Sequence, residues 1–173
     1  MTEPTLTPIA FDAFLADLET LATAIEADEW RPHFLVGIGR GGLVPAAFLS
    51  HRTGLPMLSV DHSSRVHEFA DALLEKLAER MNAGERILFV DDINDSGATL
   101  RHLDEAIRAR CGVPEQARVA VLINNTRSSA TAHYWSREID RSVTKDWFVF
   151  PWEQVADRAA VVAEAQSVPE RLA

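Results

Sequence analysis

Three carboxylates and a turn of small polar residues stand next to one another in the middle of the chain. The carboxylates are Asp91, Asp92 and Asp95, and the turn consists of Ser96, Gly97, Ala98 and Thr99. Backbone N–H groups at such a turn, with the positive end of a following helix dipole, suit a phosphate group. The carboxylates would repel that anion unless they bind sugar hydroxyls, a divalent cation or a proton taken from a substrate. The cluster therefore predicts a site for a phosphorylated ligand.

The flanking pattern predicts the elements that position this cluster. Four apolar residues, Ile87 to Val90, predict a short buried strand that ends at the carboxylates. Thr99 then opens an amphipathic helix. The apolar residues of that helix recur at helical spacing and are Leu100, Leu103, Ile107 and Cys111. A strand, a turn and a helix in this order direct several N–H groups into one small space.

A glycine-rich turn occurs earlier in the chain, after a predicted strand from His33 to Ile38. We call it the first turn, and the turn from Ser96 to Thr99 the second. The glycines of the first turn satisfy G-x-G-x-x-G, and Asp61 stands about 20 residues further on, as in a dinucleotide-binding fingerprint. These glycines are Gly37, Gly39 and Gly42. The turn leads into a predicted helix that ends near Gly54. Taken alone, this region predicts a dinucleotide-binding domain.

The apolar strand, two acidic residues and D-S-G-A-T resemble the phosphoribosyl-diphosphate motif of the type I phosphoribosyltransferases. The first turn, GRGGLVP, is similar to S-R-G-G-L-V-P in the xanthine–guanine enzymes of that family. The segment DWFVFPWE is similar to their W-x-x-x-P-W-[DE] segment. A dinucleotide-binding domain gives DDINDSGAT no role, whereas a phosphoribosyltransferase needs both turns. The chain therefore resembles the purine phosphoribosyltransferases, closest to the xanthine–guanine and hypoxanthine enzymes.

This resemblance implies a role for each turn. The residues implied to bind the diphosphate are Arg40, Gly41 and Gly42. Those implied to bind the 5′-phosphate are Ser96, Gly97, Ala98 and Thr99. Asp91 and Asp92 would bind the ribose hydroxyls, directly or through Mg²⁺. Asp95 would take or hold the proton on the imidazole nitrogen of a purine, which makes it the implied catalytic residue.

The predicted base-binding residues depart from the family pattern. In its 6-oxopurine enzymes, a lysine at the end of the strand that corresponds to Arg118–Ile123 hydrogen-bonds the exocyclic oxygen of the base. This chain has Asn124 and Asn125 there, and either amide can donate to a carbonyl. Arg127 is a further candidate donor. The identity of the base is therefore the least determined part of the prediction.

Two further segments matter for the site. By the resemblance, Phe148 stacks on the base while Trp147 contributes its carbonyl. The alternative is an edge strand whose aromatic side chains fill the core. The polar segment Asp61–His67 corresponds to a loop that closes over the substrate in the family, and an ordinary solvated loop is the alternative.

Composition limits the partners. The chain has 173 residues, 47% of them hydrophobic, which suffices for one domain with a core. Its net charge of −9 and pI of about 5.1, without a basic run, argue against nucleic-acid binding. The single cysteine fits a reducing cytosol. No signal peptide or membrane-length apolar run is evident in the sequence. We therefore expect a soluble cytoplasmic protein without a membrane partner.

We expect a single α/β domain over residues 1–173, with a mostly parallel sheet flanked by helices. A helix over residues 8–28 would pack on the sheet, and a small hood would come from the N-terminal and 124–155 segments. The substrates implied by the resemblance are phosphoribosyl diphosphate and a nucleobase, a 6-oxopurine first. By analogy we expect a homodimer or homotetramer. Two alternatives stay open: a non-catalytic phosphoribosyl-diphosphate sensor of the same fold, and a dinucleotide-binding oxidoreductase.

Overall fold

A computed structural model describes residues 4–60 and 67–168. Its strands are β1 (Leu6–Pro8), β2 (Phe34–Ile38), β3 (Met57–Val60), β4 (Ile87–Asn94), β5 (Ala117–Asn125), β6 (Tyr134–Ile139) and β7 (Trp147–Val149). Its helices are α1 (Phe11–Ala27), α2 (Gly39–Thr53), α3 (His67–Asn82), α4 (Ala98–Arg108) and α5 (Arg158–Gln166). The predicted lid, Asp61 to His67, lies outside the described residues except for His67, where α3 begins.

Five parallel strands form the main sheet in the order β3-β2-β4-β5-β6, with helices on both faces. On one face Leu88 and Val90 pack with α1 and α2, and on the other Ile87 and Phe89 pack with α3 and α4. A strand buried on both faces reads as a continuous apolar run, which is why β4 is evident in the sequence. The predicted α/β class is confirmed.

The edge strand β6 differs from the expectation that residues 124–155 belong to the hood. Tyr134–Ile139 instead pairs with β5 in the main sheet. The helix α1 packs on it, since the buried Asp17 accepts hydrogen bonds from Ser136 and Arg137. This strand is only partly buried, so its sequence lacks a clear alternation. Its pairing partner decides its structure, and that partner is visible only in the fold.

The hood is a two-stranded parallel sheet of β1 and β7, in which Leu6 pairs with Trp147. Val161 and Ala165 of α5 pack against this small sheet. That helix was not predicted from the sequence; it begins where the side chain of Asp157 accepts a hydrogen bond from the Ala159 N–H at 2.9 Å. Within the described residues, every helix is too short or too polar to cross a bilayer.

Candidate active site

The carboxyl ends of β2 and β4 open into a cavity of about 520 Å³. Parallel strands place their carboxyl ends at one edge of a sheet, where ligands of open α/β sheets bind. The residues from the two predicted turns that line this cavity are Gly39, Arg40, Gly41, Asp91, Asp92 and Thr99. The strand β7, the segment after it and α5 contribute Trp147, Trp152, Glu153, Val161 and Glu164. The fold thus brings together both turns and the aromatic segment.

Asp91 and Asp92 lie within β4, because this strand continues past its predicted end at Val90 to Asn94 by pairing with β5. Asp91 is 8% exposed, and its Oδ1 accepts the backbone N–H of Asp92 at 3.0 Å. Burial raises the pKa of Asp91 well above its usual range, and the nearby charge of Asp92 raises it further. Two adjacent carboxylates in a buried wall favour a cation or a set of hydroxyl donors.

The first turn packs tightly against these carboxylates. A Cβ atom on Gly41 would lie 2.5 Å from Oδ2 of Asp92, and one on Gly42 would lie 2.0 Å from the carbonyl oxygen of Val90. At Gly42, where the neighbouring atoms belong to the backbone, only glycine permits this approach. Gly41 lines the cavity, whereas Gly42 is buried against β4, so the observed contribution of Gly42 is the close contact between turn and strand.

Every described peptide bond is trans.

The second turn leads into α4 through Gly97, which has a φ of 83°. A Cβ atom there would lie 2.6 Å from the backbone nitrogen of Ala130. The carbonyl of Ser96 accepts a hydrogen bond from the Ser129 hydroxyl at 2.5 Å. Thr99 is the residue of this turn that lines the cavity. These residues therefore form a turn that is supported from behind by the segment after β5, and its binding of a phosphate stays a prediction.

Asp95, the predicted catalytic residue, is held in a buried ion pair. Its side chain is 5% exposed, and its two oxygens accept hydrogen bonds from Nε and Nη2 of Arg141, each at 2.9 Å. Its carbonyl accepts a hydrogen bond from the amide of Asn125 at 2.9 Å. The catalytic role of Asp95 stays a prediction.

The two asparagines at the end of β5 support the site from behind. Oδ1 of Asn124 accepts a hydrogen bond from the Asn94 amide at 2.8 Å. Asn125 is buried, and its Oδ1 accepts the backbone N–H groups of Arg127 and Arg141. Arg127, the other predicted donor, forms an exposed ion pair with Asp140. That either asparagine replaces the lysine of the family stays a prediction.

A smaller cavity of about 240 Å³ adjoins the first and contains the predicted base-stacking residue Phe148. Five residues line both cavities: Asp92, Ile93, Trp147, Glu153 and Glu164. The guanidinium carbon of Arg141 lies 5.3 Å from the centre of the Phe148 ring. Sequence reasoning missed Arg141 and Glu164. No local motif marks either residue, since each reaches the site only through the fold.

A sequence model of the phosphoribosyl transferase domain matches residues 10–157. The chain belongs to the phosphoribosyltransferase family. The match includes the turn at Gly37–Gly42 and the acidic motif, so the glycine pattern belongs to a phosphoribosyltransferase domain and not to a dinucleotide-binding one. The helix α5 follows the matched residues, although Val161 and Glu164 from this helix line the cavity.

Solved structures of phosphoribosyltransferases share this fold. A purine phosphoribosyltransferase from Pyrococcus horikoshii has a TM-score of 0.64 and 22% identity, over 88% of this chain and 96% of that one. A xanthine-guanine-hypoxanthine phosphoribosyltransferase from Helicobacter pylori has a TM-score of 0.64 and 22% identity, over 86% and 93%. A hypothetical protein from Neisseria gonorrhoeae with bound ppGpp has a TM-score of 0.66 and 16% identity, over 96% and 99%.

Proposed function

We propose that this protein transfers the 5-phosphoribosyl group from phosphoribosyl diphosphate to a nucleobase and releases diphosphate. The base we propose is a 6-oxopurine: guanine, xanthine or hypoxanthine. One observation carries the proposal: a single cavity is lined by Arg40 and Gly41 of the first turn, by Asp91 and Asp92 of β4 and by Thr99 of the second turn. The family membership and the purine phosphoribosyltransferases among the structural neighbours support it.

The reaction requires one substitution at C1 of the ribose. A ring nitrogen of the base forms the new bond to C1, while the bond from C1 to the diphosphate oxygen breaks. The diphosphate leaves with the electron pair of that bond, and the base loses the proton of its attacking nitrogen. Positive charge develops on the ribose ring along the way, so the site must stabilise charge and exclude water.

The residues of the cavity match these tasks. The guanidinium of Arg40, an exposed side chain at the cavity, would neutralise the departing diphosphate. Asp91 and Asp92 would accept hydrogen bonds from the ribose hydroxyls, and the negative charge of Asp92 would favour the positive ring. The hydroxyl of Thr99 would donate to the 5′-phosphate at the start of α4.

The same carboxylates fit Mg²⁺ in the proposed reaction. Within the described residues no group of three or more metal-ligating side chains occurs, so a cation here would take its remaining ligands from substrate and water. Mg²⁺ commonly uses one or two carboxylates together with substrate phosphates. Asp91 and Asp92 would hold it, and the bound ion would supply neutralisation of the diphosphate charge.

The test is release of diphosphate from phosphoribosyl diphosphate and Mg²⁺ with six bases: guanine, xanthine, hypoxanthine, adenine, uracil and orotate. Turnover with a 6-oxopurine is expected, and it should fall steeply in Asp95→Asn if that residue handles the base proton. Asp104→Asn, an exposed carboxylate on α4, is the matched control. Turnover with a pyrimidine alone would contradict the proposed base, and no turnover with any base would contradict the proposed enzyme.

A second candidate is a regulator of the same fold that binds a phosphorylated ligand without turnover. The observation that favours it is the structural neighbour with bound ppGpp. Calorimetric titration with phosphoribosyl diphosphate and with ppGpp separates the two candidates. Tight binding of either ligand by a protein that turns over none of the six bases would support the regulator.

A cytoplasmic location and self-association as a homodimer or homotetramer stay predictions under this proposal. The described surface includes several exposed apolar side chains on α1 and α2, among them Phe11, Leu43 and Phe48. Sedimentation equilibrium of the purified chain would give its assembly state, and a monomer at assay concentration would contradict the expected oligomer.

A further inference from the structure

One buried arginine connects the acidic motif with the aromatic segment. Arg141 follows β6 and is 8% exposed. Its Nε and Nη2 donate to Asp95, and its Nη1 donates to the carbonyls of Thr144 and Asp146 at 3.1 and 2.7 Å. Four of the five N–H groups of the guanidinium are therefore engaged. Such a side chain has a single orientation.

The same guanidinium lies over Phe148. The distance from its central carbon to the ring centre is 5.3 Å, which is within the range of a cation–π contact. Arg141, Trp147 and Phe148 together line the smaller cavity. One side chain thus contacts the turn after β4 and the wall formed by β7, two segments that lie about 50 residues apart in the sequence and meet only in the folded chain.

The backbone beneath this pair is fixed as well. Asn125 donates to the carbonyl of Asp95, and its Oδ1 accepts the backbone N–H of Arg141 at 3.2 Å. One asparagine thereby holds both partners of the ion pair in register. Burying two charges costs free energy that a pair of apolar side chains would not cost, so stability alone is a poor explanation for this arrangement.

We infer that Arg141 is the positioning residue of the base-binding end of the site. Through Asp95 and Phe148 it fixes the acidic turn at a set distance from the aromatic wall, and this distance decides how well a base fits between them. The inference rests on the proposed function. It separates two parts of the ligand, because Arg40 and Gly41, which we propose for the diphosphate, belong to the turn after β2, whereas Arg141 contacts the turn after β4 and the aromatic wall.

The experiment compares two ligands in the wild type and in Arg141→Lys and Arg141→Gln. Guanosine 5′-monophosphate carries a base and ribose 5-phosphate does not, so calorimetry with both reports on the base end alone. Lysine keeps the charge but loses the two-armed geometry, and glutamine loses both. Steady-state KM values for the base and for phosphoribosyl diphosphate are measured in parallel. Arg118→Gln is the control, since Arg118 also pairs with a carboxylate and an aromatic ring but at the opposite end of the sheet.

In both variants we expect the KM for the base and the Kd for guanosine 5′-monophosphate to rise about tenfold to a hundredfold. A rise of this size is typical of a reactant that is held in the wrong position. The KM for phosphoribosyl diphosphate and the Kd for ribose 5-phosphate should change less than about twofold in these variants, because a positioning effect stays local. Arg118→Gln should leave all four constants unchanged.

Two results would overturn the inference while leaving the proposed function intact. One is that Arg141→Lys has the same KM and Kd values as the wild type. The other is an equal rise for both ligands, which is the signature of a merely structural role. If Arg141→Gln does not fold, Arg141→Lys decides alone. A wild type that neither turns over nor binds guanosine 5′-monophosphate or phosphoribosyl diphosphate would overturn the proposed function, and this inference with it.

Discussion

Two arginine clusters lie at opposite ends of the main sheet and use the same kinds of contact. At the amino end, Arg118 donates to Asp28 at 2.6 Å and lies 4.7 Å from the ring centre of Trp30. At the carboxyl end, Arg141 donates to Asp95 and lies over Phe148. Each cluster thus pairs a guanidinium with a carboxylate and an aromatic ring. Their surroundings differ, because Arg141 and Phe148 line a cavity beside the candidate active site.

In the amino-end cluster, the hydrogen bonds to Asp28 come from other members of the cluster. Asp28 accepts hydrogen bonds from the Trp30 backbone, from the Tyr134 hydroxyl and from Arg118. The carboxyl-end cluster instead adjoins a cavity with two further carboxylates, Asp91 and Asp92. Because all five strands are parallel, the loops that follow them converge at this end, where ligands of α/β sheets bind. The comparison predicts that the same class of substitution has different effects at the two ends.

The largest contrast is expected between Asp92→Asn and Asp28→Asn. Asp92 lines both cavities, so loss of its charge should lower kcat/KM on the order of a hundredfold, as when a transition-state contact is removed. Asp28→Asn should leave kcat/KM within about twofold because it lies at the other end of the sheet. Steady-state diphosphate release checks both variants. A similar loss of activity in the two would break the comparison.

The close approach of the first turn gives a second contrast. Gly42→Ala places a Cβ atom 2.0 Å from the Val90 carbonyl, so the turn must move away from β4 and from Asp92. We expect a loss of about 2–3 kcal/mol in the free energy of unfolding, with most of the activity lost. Gly112→Ala is the matched control, because its nearest neighbour would lie at 3.6 Å. Urea unfolding measures the first effect. Equal stability of the two variants would show that the turn is not held by this contact.

The excess of negative side chains at the carboxyl end of the sheet should have a smaller effect, on the KM for phosphoribosyl diphosphate. Glu164 lines both cavities together with Asp92 and Glu153, and a negative side chain there opposes an anionic substrate. Glu164→Gln should therefore lower the KM for phosphoribosyl diphosphate about two- to threefold at low salt, and less at high salt. Glu105→Gln on α4 serves as the control for loss of one charge. An unchanged or raised KM in Glu164→Gln would mean that this side chain contributes binding rather than repulsion.

The amino-end cluster should make the free energy of unfolding depend on pH. The Trp30 N–H, then the Tyr134 hydroxyl and Arg118, lower the pKa of Asp28 from 3.8 to about 2. A depressed carboxyl pKa stabilises the fold above the ordinary value, and this contribution is lost as the pH falls from about 4 to about 2. The stability difference between wild type and Asp28→Asn should therefore shrink over that range. Urea unfolding between pH 5 and pH 2 measures it, and a constant difference would contradict the assignment.

Much of the site follows from the order of residues along the chain. β4, the turn after it and α4 are evident from an apolar run, a polar turn and Leu100, Leu103 and Ile107 at helical spacing, all of which are buried as predicted. The end of α2 is evident as well, because Gly54 adopts the left-handed conformation with a φ of 73°. These are local patterns in which propensity and burial agree, so the two turns and the α/β class were predictable.

Only the tertiary structure decided which segments and side chains lie next to these local elements. The edge strand β6 takes its conformation from pairing with β5, and α5 lines the cavity only because it packs on the hood. Asp95 was assigned from its motif, but its orientation comes from Arg141, which stands 46 residues further along the chain. Sequence determines which segments bury their apolar faces, because burial follows a local period. It does not reveal which charged side chains then meet, since that depends on where distant segments dock.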